Sequence, residues 1–202
     1  MLTISLVLTC GLSVIKPASA TTSVLLLGDS LSASLGMKLN QGWVHLLNQQ
    51  LAAANKPYTI INASISGETT SGGLSRLKGI LSKRKVDHLL IELGGNDGLR
   101  GFSPKLIKNN LLQIIEIAQQ QNIPVAMFDI SIPPNYGPRY NKMFNAVFKE
   151  VSEAKNIPLL PFFMESIAID KSLMQADGIH PNIKAQSRIV EMVEKQLTVL
   201  LE

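Results

Sequence analysis

The sequence predicts an α/β fold: a three-layer α/β/α sandwich with a parallel sheet of about five strands. Two observations lead to this prediction. Short, continuously apolar runs alternate about five times with longer segments of helical periodicity. Strands that are apolar on both faces are typical of parallel sheets covered by helices on both sides.

The predicted strands are short apolar runs, and the predicted helices repeat apolar residues every three or four positions. Strands are expected at residues 24–27, 58–62, 89–93, 124–130 and 157–160. Helices are expected at residues 42–54 and 69–81, directly after Ser103-Pro104, and at 140–154 and 182–201. Ser103 fits an N-cap, and Pro104 fits the first position of a helix.

The composition is that of one folded domain. A chain of 202 residues can bury a sizeable core, and 46% hydrophobic with 17% charged residues argues against disorder. The formal net charge is only +4, and no Lys/Arg-rich run is interleaved with aromatic residues, so nucleic acid is not an expected partner. No repeat or linker divides the chain, and nothing in it requires a dimer, so we expect a monomer.

The first 20 residues have the pattern of an export signal. Residues 2–15 are mostly apolar, and the Ala-Ser-Ala sequence at 18–20 matches a signal-peptide cleavage site. The apolar run is shorter than the ~20 residues that span a bilayer. The segment before it contains no Lys or Arg, which leaves an uncleaved anchor as the alternative. We expect a signal peptide at 1–20, a single domain at 21–202 without a stable membrane span, and a periplasmic or secreted location.

Polar, often glycine-rich segments follow four of the predicted strands. They are residues 28–30, 64–67, 94–97 and 133–138. Ligands of open α/β sheets bind outside the carboxyl ends of the strands. These four segments are therefore expected to converge on one site.

Ser30 is the candidate nucleophile. It follows the first strand within Gly28-Asp29-Ser30, where it could open a helix and direct its backbone N–H at the site. The alternative is that Ser30 is only a helix N-cap. The single cysteine, Cys10, lies inside the predicted signal, so thiol chemistry is not expected in the mature chain.

His180 is the candidate base that a serine nucleophile needs. Pro181 disfavours a helical conformation at His180, so the histidine ends a loop before the last helix. Asp177 can curl back to the Nδ1–H of the ring, which leaves Nε2 free to take the serine proton. The alternative is an Asx loop that caps the last helix. Of the other two histidines, His45 lies within a predicted helix among apolar residues and is expected to be a packed or rim residue. His88 opens the third predicted strand and is expected at the opposite end of the strands from the site.

Two further residues at strand ends could stabilise an oxyanion. Gly67 offers an unobstructed backbone N–H, and Asn96 offers its side-chain amide. Asn96 could instead be a turn residue that tolerates positive φ.

Together these segments resemble the four sequence blocks of the SGNH (GDSL-type) hydrolases. The blocks are Gly28-Asp29-Ser30-Leu31-Ser32, residues 62–69, Gly94-Gly95-Asn96-Asp97 and Asp177-Gly178-Ile179-His180-Pro181. The resemblance extends from about residue 24 to the C-terminus. It implies a flavodoxin-like fold and a triad of Ser30, Asp177 and His180. It also implies an oxyanion hole made by the N–H groups of Ser30 and Gly67 and the Asn96 side chain. Ser34 stands where the family often has glycine, which affects the groove beside Ser30.

The expected reaction is two-step acyl transfer through an acyl-enzyme, without a metal or cofactor. The resemblance implies small-molecule substrates: acyl thioesters, aryl esters and lysophospholipids. Apolar residues near the four segments are candidates for the acyl groove, although several of them could be ordinary core. They are Leu31, Met37, Leu74, Ile132, Pro133, Pro134, Tyr136, Phe162 and Met164.

Two other functions are compatible with parts of the pattern. The first is a metal-dependent phosphoesterase, which Gly-Asp and Gly-Asn-Asp at strand ends would also suit. Such a site needs clustered histidine and carboxylate ligands, but this sequence has no H-x-H and no second histidine near either block. A non-catalytic acyl-binding module on the same fold is the remaining alternative. The complete set of Ser30, Gly67, Asn96, Asp177 and His180 argues against it.

Overall fold

The computed structural model describes residues 21–201 and contains one five-stranded parallel sheet. The strand order is β2-β1-β3-β4-β5. The strands are β1 (Thr22–Gly28), β2 (Tyr58–Asn62), β3 (His88–Glu92), β4 (Val125–Phe128) and β5 (Leu159–Leu160). The predicted α/β class and the parallel sheet are confirmed.

Seven α-helices connect and cover the strands within the described part of the chain. They are α1 (Trp43–Ala53), α2 (Thr70–Leu81), α3 (Gly95–Leu99), α4 (Pro104–Gln119), α5 (Pro138–Lys155), α6 (Met164–Ala168) and α7 (Gln186–Leu201). Helix α1 packs against α7, whereas α4 packs against both α2 and α5. Because crossovers between parallel strands are right-handed, the change of direction after β2 puts these two groups on opposite faces of the sheet. The result is the predicted three-layer sandwich.

The central strands are mostly apolar, in keeping with their burial on both faces. All four residues of β4 are buried, as are residues 24–28 of β1 and 89–92 of β3. The edge strand β2 alternates buried and partly exposed residues instead. Gly28, the last residue of β1, pairs with Glu92, the last residue of β3. The carboxyl ends of the two central strands therefore lie side by side.

The structure differs from the prediction directly after β1. Ser30 does not open a regular helix, because the chain forms a series of turns before α1. In the first of these turns, the backbone N–H of Ala33 donates to Asp29 O at 2.9 Å, which is the i to i−4 hydrogen bond of an α-helix. Ser34 has a φ of 62°, in the left-handed region that ends a right-handed helix. Ser34 thus takes the backbone conformation that glycine adopts most easily.

Two short helices and one late helix start also differ from the prediction. Helices α3 and α6 have five residues each, too few for a periodic pattern to show in the sequence. The last helix begins at Gln186 because residues 183–185 form a separate 3-10 turn, capped by the Asn182 side chain. The predicted signal at 1–20 lies outside the described residues. Within 21–201, no helix is both long and apolar enough to cross a membrane.

Candidate active site

Ser30 lies two residues beyond the end of β1, at the carboxyl edge of the sheet. The residue is mostly buried, with 7% of its surface exposed, and it lines a cavity that opens at this edge. Its Oγ lies 2.9 Å from Nε2 of His180, which is 150 residues away in the sequence. The fold therefore brings the candidate nucleophile and the candidate base into hydrogen-bond contact.

Asp177 holds the His180 ring from its other side. Asp177 Oδ2 lies 2.6 Å from His180 Nδ1. The second oxygen, Oδ1, accepts the backbone N–H groups of Ile179 at 2.9 Å and His180 at 3.0 Å. With Nδ1–H donated to the carboxylate, Nε2 of the neutral ring has a free lone pair directed at Ser30.

These contacts keep Asp177 ionised. Desolvation raises the pKa of Asp177, but the hydrogen bonds from the His180 backbone and ring and from the Ile179 N–H outweigh it and lower the pKa to about 2. A carboxyl with a lowered pKa stabilises the folded loop fully above its ordinary value of 3.8, and this contribution is lost as the pH falls towards 2. The carboxylate that contacts the His180 ring therefore carries its charge throughout the neutral range.

Gln175 fixes the histidine loop against the loop that follows Ser30. Its backbone N–H donates to His180 O at 2.8 Å, and its side-chain Nε2 donates to Leu35 O at 2.8 Å and Pro181 O at 3.0 Å. One side chain thus connects the loops that carry Ser30 and His180. The sequence did not indicate this role, because a single glutamine in a loop has no recognisable spacing to a partner.

Asn96 is positioned by the turn between β3 and α3. Gly94 has a φ of 119°, and a Cβ atom there would lie 2.9 Å from the Phe148 ring, so glycine is required. This turn carries Asn96 to the cavity wall, where its Nδ2 donates to Asp29 Oδ2 at 2.9 Å. Because Asp29 precedes Ser30 in the chain, the Asn96 amide lies next to the candidate nucleophile.

Gly67 is connected to the same region less directly. It follows β2 with a φ of 78°, and its carbonyl accepts Arg100 Nη2 at 3.1 Å. Nearby, the Asp97 carboxylate accepts Thr70 N at 2.8 Å and Thr70 Oγ1 at 2.6 Å. The segment that carries Gly67 is therefore tied to the segment that carries Asn96. Gly67 itself does not line the cavity.

The cavity beside Ser30 has a volume of about 610 Å³ and a mostly apolar wall. Pockets of this size are typical of small-molecule sites. Six of the nine predicted groove residues line it: Leu31, Ile132, Pro133, Pro134, Phe162 and Met164. The sequence did not indicate the further apolar lining by Leu99, Ile130, Ala168, Met174 and Ile179.

Three predicted groove residues lie outside the cavity lining. Leu74 is on α2 and packs against the core. Tyr136 lies in an exposed 3-10 turn and donates its hydroxyl to Leu99 O at 3.0 Å. Met37 belongs to the turns after Ser30, and its N–H bonds Ser34 O. Proximity in sequence to a site segment did not ensure contact with the cavity.

The other two histidines lie away from Ser30. His45 is an exposed residue of α1. His88 is the first residue of β3, at the amino end of the strand, whereas the cavity lies at the carboxyl ends of the strands. Between residues 21 and 201, no three His, Cys, Asp or Glu side chains are grouped so that they could hold a metal ion.

The sheet, the cavity at its carboxyl edge and the contact between Ser30 and His180 are features of an esterase-type hydrolase. Residues 26–188 match the GDSL-like lipase/acylhydrolase family, and the chain belongs to this family. The family resemblance read from the sequence is thereby confirmed, and the protein is an esterase-class enzyme.

Two relatives and one solved structure illustrate the similarity. Esterase TesA of Pseudomonas aeruginosa is 43% identical over 191 residues, which cover 95% of each chain. Thioesterase 1/protease 1/lysophospholipase L1 of Escherichia coli K12 is 42% identical over 184 residues, covering 91% of this chain and 87% of that protein. The crystal structure of the psychrotrophic esterase EstA from Pseudoalteromonas sp., inhibited by monoethylphosphonate, matches with a TM-score of 0.88 and 46% identity. It covers 89% of this chain and 98% of that chain.

Proposed function

We propose that the protein hydrolyses carboxylic esters and thioesters through a covalent acyl-enzyme on Ser30. One observation carries the proposal: the continuous set of contacts from Ser30 Oγ through the His180 ring to Asp177, at 2.9 Å and 2.6 Å. A serine hydroxyl is a weak nucleophile until a correctly oriented base takes its proton. These contacts provide both the base and the group that orients it.

In the first step, Ser30 Oγ attacks the acyl carbonyl carbon while His180 Nε2 takes the hydroxyl proton. The tetrahedral intermediate then collapses, the ester or thioester bond breaks, and the imidazolium gives its proton to the departing alcohol or thiol. In the second step, a water molecule attacks the carbonyl carbon of the acyl-enzyme while His180 takes a proton from that water. Ser30 regains its proton from His180 as the carboxylic acid leaves. Asp177 stabilises the positive charge on His180 in both steps.

The negative charge on the carbonyl oxygen needs preorganised donors. We propose the backbone N–H groups of Ser30 and Gly67 and the side-chain amide of Asn96 for this role. Asn96 is supported by its position on the cavity wall beside Asp29. Gly67 is supported by the family resemblance and by the contact between Thr70 and Asp97 that holds its segment near Asn96.

The substrate class follows from the cavity and from the relatives. An apolar wall suits an acyl chain, and the relatives bear the names esterase, arylesterase and thioesterase/lysophospholipase. We therefore propose acyl thioesters, aryl esters and lysophospholipids as substrates. The protein is proposed to act as a monomer.

The acyl-chain assignment can be tested by filling the cavity. Ala168 on α6 lines the cavity, so Ala168→Trp should block long acyl chains and spare short ones. We expect kcat/KM for a lauroyl p-nitrophenyl ester or thioester to fall about tenfold or more, because methylene contacts in an apolar pocket carry that much discrimination. The butyryl esters should change little.

The matched control is Ala154→Trp, at an exposed position on α5 that does not line the cavity. It should keep the chain-length profile of the native enzyme. If Ala168→Trp lowers the butyryl and lauroyl rates equally, or changes neither rate, the acyl chain does not occupy this cavity. Rates that fall on addition of a chelator would instead favour metal-dependent hydrolysis.

We further propose that residues 1–20 are removed on export and that the enzyme acts in the periplasm or outside the cell. The support is the apolar run and the Ala-Ser-Ala sequence at 18–20. Because β1 begins at Thr22, cleavage after Ala20 would leave all the described strands and helices intact. N-terminal sequencing of the exported protein should give Thr21. An intact Met1 on the membrane-bound protein would instead indicate an uncleaved anchor.

A further inference from the structure

Two buried carboxyl groups lie beside Ser30 and take no part in the steps above. Asp29 is 3% exposed and Glu92 is 1% exposed, and both line the cavity. They are neighbours because Gly28 pairs with Glu92 across β1 and β3. Burying a carboxylate without partners is costly. The contacts of these two side chains therefore indicate what they do.

The contacts of Asp29 are those of an acceptor. Oδ1 accepts the N–H of Leu31 at 3.0 Å, and Oδ2 accepts Nδ2 of Asn96 at 2.9 Å. Burial raises the pKa of Asp29 to about 6, and the interactions with the Leu31 N–H, the Glu92 side chain and the Asn96 amide limit the rise. Asp29 is therefore ionised at neutral pH.

The contacts of Glu92 fit a neutral carboxylic acid. Oε2 accepts the Asp29 backbone N–H at 3.2 Å and the Ser32 hydroxyl at 2.8 Å. None of the ion pairs described between residues 21 and 201 includes Glu92. Burial, and then the neighbouring negative charge of Asp29, raise the pKa of Glu92 well above its usual range. A Glu92 side chain with a raised pKa can keep its proton and donate it to the neighbouring Asp29 carboxylate.

We propose that Asp29 and Glu92 are positioning residues for Asn96. The Asp29 carboxyl, which accepts Nδ2 of Asn96 at 2.9 Å, determines which end of the Asn96 carboxamide faces the oxyanion. The Glu92 side chain, which accepts the Asp29 backbone N–H at 3.2 Å, holds Asp29 in place. This inference rests on the proposed oxyanion role of Asn96. Only the NH₂ group of Asn96 can face an ionised carboxylate, because the amide oxygen would be repelled. The second hydrogen of that NH₂ group is then available to the substrate oxygen. A flipped amide would present lone pairs to the oxyanion instead.

Besides Glu92, the titratable group whose charge interacts with that of Asp29 is His180, which lowers the pKa of Asp29. When His180 takes the Ser30 proton, the new imidazolium is attracted by Asp29 as well as by Asp177. The three donors on Asp29 spread its charge, which limits its repulsion of the oxyanion.

Asp29→Asn tests the first part of the inference. The asparagine has the same shape, but its NH₂ group cannot accept a hydrogen bond. It must therefore oppose either the Leu31 N–H or Nδ2 of Asn96. We expect kcat for p-nitrophenyl butyrate to fall about 10²-fold, the scale of a lost oxyanion donor, with KM little changed. Asn96→Ala should lower kcat by about 10²–10³-fold. The double variant should lose clearly less than the product of the two single losses, because both substitutions remove the same donor.

Glu92→Gln and Glu92→Leu test the second part. Glutamine reproduces a neutral carboxylic acid: its oxygen can accept from Asp29 N and Ser32 Oγ, and its NH₂ can donate to Asp29. It should keep kcat within about threefold of the native enzyme, since each hydrogen bond retains a partner. Leucine removes all three contacts and should lower kcat about tenfold or more. Thermal unfolding by circular dichroism shows which variants are folded. If Glu92→Leu is unfolded, the comparison of Glu92→Gln with Asp29→Asn decides.

The outcomes separate this inference from the proposed function. An unchanged kcat in Asp29→Asn, multiplicative losses in the double variant, or a loss in Glu92→Gln as large as in Asp29→Asn would each overturn the inference. An Asn96→Ala variant with native kcat would overturn the proposed oxyanion hole itself. The pattern described above, with loss in Asn96→Ala and Asp29→Asn, a double variant that loses clearly less than the product of the single losses, and retention in Glu92→Gln, would support both.

Discussion

Replacing Ser30 by alanine is expected to lower kcat by about 10⁵-fold or more, because no other group can form the acyl-enzyme. The Ser30 hydroxyl has His180 Nε2 as its side-chain partner, 2.9 Å away. Removing it leaves the remaining contacts of His180 and Asp177 in place, so the fold should be retained. The measurement is steady-state hydrolysis of p-nitrophenyl butyrate by the folded variant, with circular dichroism to check the fold.

Ser82→Ala is the matched control, because Ser82 is an exposed serine at the end of α2 that does not line the cavity. It should turn over like the native enzyme. A Ser30→Ala variant with native turnover would mean that Ser30 is not the nucleophile and that the triad assignment must be abandoned. Loss of turnover with retained substrate binding would agree with the proposed function and exclude a non-catalytic acyl-binding module.

Replacing Asp177 by asparagine is expected to lower kcat by about 10⁴-fold, since an imidazole held by a neutral amide is not kept in the tautomer that accepts the serine proton. The contact at stake is the 2.6 Å distance between His180 Nδ1 and Asp177 Oδ2. Oδ1 can still accept the N–H groups of Ile179 and His180 in the variant. The loop should therefore keep its conformation, and the loss should appear in kcat more than in the unfolding temperature.

Asp170→Asn provides the control for Asp177→Asn. Asp170 caps the neighbouring 3-10 turn by accepting Ser172 N at 2.9 Å, and it is exposed. Its substitution should leave kcat close to native. A kcat for Asp177→Asn within about tenfold of native would contradict the orienting role, because triad members normally contribute far more than this.

The sheet was predictable because burial on both faces leaves a direct mark on a strand. The apolar runs at residues 58–62 and 89–93 correspond to β2 and β3 within one residue. The predicted helix ends were less accurate where backbone conformation, and not the apolar pattern, determines where a helix begins or ends. The positive φ of Ser34 interrupts any helix after Ser30. Serine seldom adopts this conformation, so the only indication of it was that the family often has glycine at this position.

The residues of the candidate site were predictable to different degrees. Ser30 directly follows an apolar run, and Asp177 stands three residues before His180, so all three could be recognised in the sequence. The structure brings them within hydrogen-bond distance, and their catalytic role remains a prediction. The cavity wall was harder, because contact depends on how α6 and the loop at 174–180 approach the sheet. Side-chain roles that depend on pairing across the sheet, such as that of Glu92 beside Gly28, need the strand register and could not be obtained from the sequence.

The most direct test of the central claim is to locate the covalent intermediate. The native enzyme would be treated with a serine-directed fluorophosphonate, digested and examined by peptide mass spectrometry, in parallel with Ser30→Ala and Ser82→Ala. We expect one adduct per chain, on the peptide that contains Ser30, present in the native enzyme and in Ser82→Ala but absent from Ser30→Ala. An adduct on another residue, or equal labelling of Ser30→Ala, would contradict it.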